Sequence, residues 1–233
     1  MTLVLVAALL ATSPVSLTWK PQVGEQHLYH VSVTFRYIGA PIEFRSNLNL
    51  TVVSVFPDGS YQLKSETSDA REIGGDEVQK LEQQLPSTQK YDRNGLPIDL
   101  KEGSRDSDPF ADLLDHLTEF QSPIHPLAEG GTWKNQVVGL KKGIFSRPRI
   151  NYTLLRLFQG TDKPYAEIGV RAVAADQSEL ASGTVLLKRP DNYLYRMEEV
   201  IPNFWPEGAS ESTYVHIVVQ EMKSKATTSG SFR

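Results

Sequence analysis

The chain has 233 residues, with 24 Lys and Arg against 28 Asp and Glu, and a formal charge of −4. Both signs are spread along the sequence, which leaves no basic field for nucleic acid. Cysteine is absent, and that excludes disulfides, thiolate metal sites, a cysteine nucleophile and a lipobox anchor.

Residues Leu3 to Ala11 are nearly all apolar, and the small residues Thr12, Ser13 and Ser16 follow. A bilayer span takes about twenty residues, so this run is too short to cross one. A short apolar stretch after Met1 followed by small residues reads as a secretory signal peptide over residues 1–16; the competing reading is a buried first strand. An exported chain without disulfides depends on the size of its core, which this length supplies. The expected location is extracytoplasmic, periplasmic or secreted, in a bacterium. Residues 17–222 are then one β-rich domain, and the polar, small-residue stretch 223–233 a disordered tail.

From His27 to Ile38 the odd positions Tyr29, Val31, Val33 and Phe35 alternate with His30, Ser32, Thr34 and Arg36. That is period two, with one face buried and one wet. At about 3.3 Å per residue such a strand is roughly 40 Å long, which suits a large curved sheet better than a small sandwich. Gly39-Ala-Pro41 turns the chain into Phe44–Phe56, where Phe44, Leu48, Leu50 and Val52 share a parity. The parity slips at Val52-Val53, which predicts a bulge. Pro57-Asp-Gly-Ser60 predicts a hairpin returning through Tyr61–Thr67.

Asp76 to Leu85 is polar, with Val78, Leu81 and Leu85 at helical intervals, and predicts a short surface helix. Gln89–Leu100 predicts a second hairpin with Asn94-Gly95 at its tip. Asp108 can cap a helix with Pro109 at its first position, and Phe110, Leu113, Leu114, Leu117 and Phe120 then form one apolar stripe. Burying five such side chains is worth about 1.5–3 kcal/mol each, and ordering each residue costs roughly 1–2 kcal/mol, so this helix needs a surface to lie on. Further strands are expected near Thr132–Leu140, Arg149–Phe158, Tyr165–Ala175, Ala181–Lys188, Tyr193–Ile201 and Ser212–Met222. Short turns favour antiparallel meander pairing. The fold expected is mainly β: a large curved antiparallel sheet, or open half-barrel, with the central helix and a short surface helix on its concave side.

Motifs for chemistry are sparse. His27 and His30 lie three apart on a strand and face opposite ways, so they cannot chelate one metal. Asp112 and His116 form an i, i+4 pair, with His125 nearby in sequence, but no companion ligand stands at metal spacing. Gly208-Ala-Ser210-Glu-Ser212 lacks the second glycine of a nucleophile elbow. Asp92-Arg-Asn94-Gly95 lacks the downstream glutamate of a calcium loop and reads as turn chemistry. No dinucleotide or phosphate loop is present. No enzyme activity, cofactor or metal is expected.

The chain resembles a group of uncharacterised exported bacterial proteins. The resemblance rests on Trp19-x-Pro-x-x-Gly24 before a tyrosine-rich strand, the Tyr91-Asp-x-Asn-Gly95 hairpin, the central helix, and His125-Pro-Leu-x-x-Gly-Gly131-Thr-Trp133. Those proteins are in turn similar to the lipoprotein-carrier half-barrels of the bacterial envelope. The resemblance implies helices over a concave sheet and an apolar cavity suited to acyl chains. The first expectation is therefore a binding protein for a hydrophobic small molecule or lipid, with Tyr29, Val31, Val33, Phe35, Leu48 and Leu50 lining it from the sheet. Phe110, Leu113, Leu114, Leu117, Phe120 and Trp133 would line it from the other side. The alternatives are an envelope structural protein that pairs through a free strand edge, and a hydrolase using His116 or His125.

Overall fold

The computed structural model describes residues 13–36, 40–82, 85–98, 120–134, 149–158, 160, 164–173, 177–204 and 211–222. Twelve strands make one open antiparallel sheet. In chain order they are β1 Gln26–Arg36, β2 Ile42–Val55, β3 Tyr61–Gly74, β4 Glu77–Lys80, β5 Ser87–Tyr91 and β6 Pro97–Ile98, then β7 Thr132–Lys134, β8 Arg149–Phe158, β9 Tyr165–Val173, β10 Glu179–Lys188, β11 Tyr193–Phe204 and β12 Thr213–Glu221. The order across the sheet is β6-β5-β3-β2-β1-β12-β11-β10-β9-β8-β7, with β4 paired to the far end of β3.

Two meanders are thus zipped together by β1 and β12, in register from Tyr29↔Glu221 to Arg36↔Tyr214. Simple meander pairing predicts neighbours along the chain; it does not predict this central joint between distant strands. The period-two pattern of β1 is realised, with Tyr29, Val31, Val33 and Phe35 all buried. The bulge expected at Val52-Val53 is present as a register shift between Val52 and Ser54.

The surface helix expected over Asp76–Leu85 is not formed. β3 continues past Thr67 to Gly74, Gly75 turns the chain at φ 59°, and β4 returns with Ile73 opposite Val78. The helical spacing of Val78 and Leu85 had no core to serve, for these side chains are 63% and 90% exposed. β-Branched and hairpin chemistry at Ile73-Gly74-Gly75 decided the outcome. The central helix over Asp108–Phe120 lies outside the described residues except for Phe120. No helix occurs among the described residues, and none is long and apolar enough to cross a membrane. Residues 1–12 and the tail 223–233 also lie outside the described residues, as does 135–140, so the strand expected over Thr132–Leu140 is described as far as Lys134.

The sheet register lines up apolar rows across the inner face. Val31, Val219, Met197, Val185, Ile168 and Leu154 form one continuous row through six strands. At about 25 cal/mol per Å² of apolar surface removed from water, such rows are the main source of stability. Two extended segments lie over this face. Val15 pairs with Leu127 through two backbone bonds of 2.8 and 3.0 Å, Leu17 is fully buried in the core, and Phe120, Leu127 and Trp133 are partly buried against it. Because β6 and β7 are at opposite edges of the sheet, the chain between them has to cross a face, and residues 120–131 cross the inner one.

Candidate ligand pocket

Where the two crossing segments leave the sheet uncovered, a cavity of about 80 Å³ opens on the inner face. Its floor is Tyr29, Leu48, Leu50 and Val219, which the alternation of β1, β2 and β12 turns inward together. One wall is Trp19, Tyr61 and Tyr91, and the opposite one Leu187, Tyr193 and Leu194. Tyr91 on β5 and Leu187 on β10 stand six strand spacings apart in the sheet order, about 29 Å if the sheet were flat. Their approach to one cavity requires the sheet to bend around it.

The aromatic walls are held by ring contacts rather than by chance proximity. Tyr61 stacks on Tyr91 at 5.5 Å, and Trp19 meets Tyr61 edge-on at 5.3 Å. His27, also lining the cavity, lies 4.4 Å from Tyr193 and 5.7 Å from Trp19. Such pairs add roughly 0.5–1.5 kcal/mol beyond their buried area. The Tyr29 hydroxyl donates to the Leu194 carbonyl at 2.9 Å, and burial pushes its phenol well above 10. It stays a neutral donor.

Polar groups at the cavity are mostly committed. His27 Nε2 lies 2.7 Å from Glu25 Oε1, and its Nδ1 3.6 Å from Glu221 Oε1. Burial alone would raise the Glu25 carboxyl, but the bonds from His27 and the Gln22 N–H together outweigh it and hold the group below 4.5. The Ser122 hydroxyl donates to the Leu17 carbonyl at 3.2 Å. Asn192, at φ 62° in the β10–β11 turn, donates its amide to the carbonyls of Ser16 at 3.3 Å and Thr18 at 3.1 Å. These bonds tie the N-terminal segment and residue 122 across the face. Among the described residues no group of three or more His, Asp or Glu could hold a metal ion.

Of the residues expected to line a ligand, the structure brings Tyr29, Leu48, Leu50 and Phe120 to the cavity. Val31, Val33 and Phe35 are buried in the continuous core beyond it. Trp133 stacks on Tyr152 at 5.1 Å and donates its indole N–H to the Gln121 carbonyl, bracing the 120–134 segment instead of facing the cavity. Phe110, Leu113, Leu114 and Leu117 lie outside the described residues, as does His116. His125 is exposed and lines nothing at the cavity. Trp19, His27, Tyr91 and Arg93 are lining residues that the sequence reading did not place there. The alternation of β1 carried the signal for His27, on the same parity as Tyr29; Trp19 and Arg93 lie outside regular strands and carry none.

No family model matches this chain, and no curated protein matches it. Among solved structures, the chain is similar to a DUF1329 family protein from Desulfovibrio piger. The identity is 12% over 86% of this chain and 85% of that one, with a TM-score of 0.26. A likeness that slight bears on neither fold nor function.

Proposed function

We propose that this chain is an extracytoplasmic binding protein that holds the apolar end of a small lipid-like ligand between its bent open sheet, a half-barrel in form, and the segments crossing it. The observation that carries this reading is the cavity itself: an aromatic and aliphatic hollow opening on the inner face where a close-packed core would be expected. Its size narrows the ligand. At about 80 Å³ it is roughly half the 150 Å³ of a cavity known to take benzene, so it admits only the last few carbons of a single alkyl chain, not a multi-chain lipid.

Binding is the reading we favour. The Ser122 hydroxyl at the cavity donates to the Leu17 carbonyl, and His27 Nε2 is turned to Glu25, so the two do not form a nucleophile–base pair with each other.

Native mass spectrometry after gentle purification, together with displacement of a fluorescent fatty acid, tests the proposal. Leu48→Trp should fill the hollow and abolish probe uptake while the protein stays folded. A wild-type protein that takes up no apolar probe would refute it.

A further inference from the structure

Resting on the pocket reading above, we infer that the ligand carries a carboxylate, and that Arg93 receives it. Among the described lining residues Arg93 is the one lysine or arginine, and none of them is an aspartate or glutamate. Arg93 is exposed and makes no ion pair with any described residue. Two neighbouring carboxylates, Asp92 in sequence and Asp58 in the adjoining turn, each direct one oxygen, Oδ1, to their own turn. Asp92 accepts the N–H groups of Asn94 and Leu96, both at 2.8 Å, and Asp58 accepts the N–H and hydroxyl of Ser60.

The backbone that presents Arg93 is firmly held. Gly95 N–H donates to the Asp92 carbonyl at 3.1 Å, and Ser122 N–H donates to the Asn94 carbonyl at 2.8 Å. Gly95 sits at φ 90°, and a Cβ there would lie 2.6 Å from the Phe120 carbonyl oxygen. The turn is therefore pressed against the segment that contributes Phe120 to the cavity, and Arg93 stands at the rim on a backbone with little freedom.

A ligand tail that enters this hollow leaves its head at the rim, beside an unpaired guanidinium. A guanidinium pairs with a carboxylate through two parallel N–H bonds in a fixed fork, a stronger and more selective contact than a neutral hydrogen bond. A cationic head would be repelled there. A neutral one would leave the arginine as it is. A single arginine balances a single charge, so the head that fits is a monocarboxylate on one alkyl chain.

Isothermal titration of the full chain with octanoate and with 1-octanol tests this, for the wild type and for Arg93→Gln. The side chain is exposed, so the variant should melt with the wild type. The expected result is that Arg93→Gln weakens octanoate by about tenfold or more and leaves octanol within about twofold. Raising the salt should weaken octanoate and spare octanol. Equal octanoate affinity in the two proteins, or octanol bound with octanoate refused, would overturn the carboxylate assignment while leaving the apolar pocket standing. Neither compound binding the wild type would overturn both.

Discussion

Glu199 on β11 stands directly opposite Gly183 on β10, in the middle of the apolar inner face. Its other neighbour in the row is Ile217 on β12, with Val33 and Val170 beyond. The carboxyl is buried, and its Oε2 has no hydrogen-bond partner among the described residues. Burial pushes its pKa up to about 7. The missing side chain at residue 183 is what makes room for it: a Cβ there would meet the Glu198 carbonyl oxygen at 2.1 Å and the Glu199 Cα and Cγ at 2.8 Å.

Gly183→Ala is accordingly expected to destabilise the protein by about 2 kcal/mol or more, since the atoms it meets are mainly backbone and cannot rotate away. Urea denaturation would show a lower midpoint with an unchanged slope. The double variant Gly183→Ala with Glu199→Ala should recover little, because the closest clash is with the Glu198 carbonyl oxygen.

The same carboxyl makes stability depend on pH in a defined sense. Below its ordinary value of 4.5 Glu199 is protonated both folded and unfolded. Between 4.5 and about 7 the folded chain holds a proton that the unfolded chain has lost, so stability falls as pH rises. Above that window both forms are ionised and the effect is constant, at roughly 3 kcal/mol in all from about 1.36 kcal/mol per unit. Glu25, Glu43 and Glu198 are shifted down instead, and their contributions run the other way. Subtracting the Glu199→Gln stability curve from the wild-type one cancels them. The difference should decline across this window, and a flat difference would contradict the assignment.

Asn192 combines two roles that substitution separates. Its left-handed backbone suits Asn or Gly, and its amide carries the bonds to Ser16 and Thr18. Asn192→Gly keeps the backbone and loses the bonds, about 1 kcal/mol each at most. Asn192→Ala loses both, so it should be the less stable of the two by denaturation. Limited proteolysis should cut both variants faster within residues 13–19.

The pairing of Val15 with Leu127 and the burial of Leu17 make residues 15–17 part of the fold. A chain beginning at Ser13 keeps Val15 and its bridge, and one beginning at Leu17 loses them. Thermal unfolding of the two proteins is expected to give the lower midpoint for the shorter one.

What the sequence made readable was set by periodicity. β1 and β2 alternate strictly enough for Tyr29, Leu48 and Leu50 to be assigned to one face, and the slip at Val52 marked its own bulge. β4 misled because four residues are too few to separate period two from 3.6, and no burial distinguished them. The joining of β1 to β12 left no local trace, since register between distant strands depends on tertiary packing. Arg93 and Trp19 were hidden for a related reason: their positions come from a turn and an extended segment whose placement is fixed by contacts far along the chain. Glu198 and Glu199 alternate across β11, and two adjacent glutamates carry no sign in the sequence of which one the sheet buries.

The seam between β1 and β12 also dictates an order of events. Of the described strands β1 is made first and β12 last, so the earlier meander must wait with a bare hydrogen-bonding edge until β12 has been made. A chaperone that masks this one strand during the wait is expected to govern the yield of folded protein more than any change to the finished core.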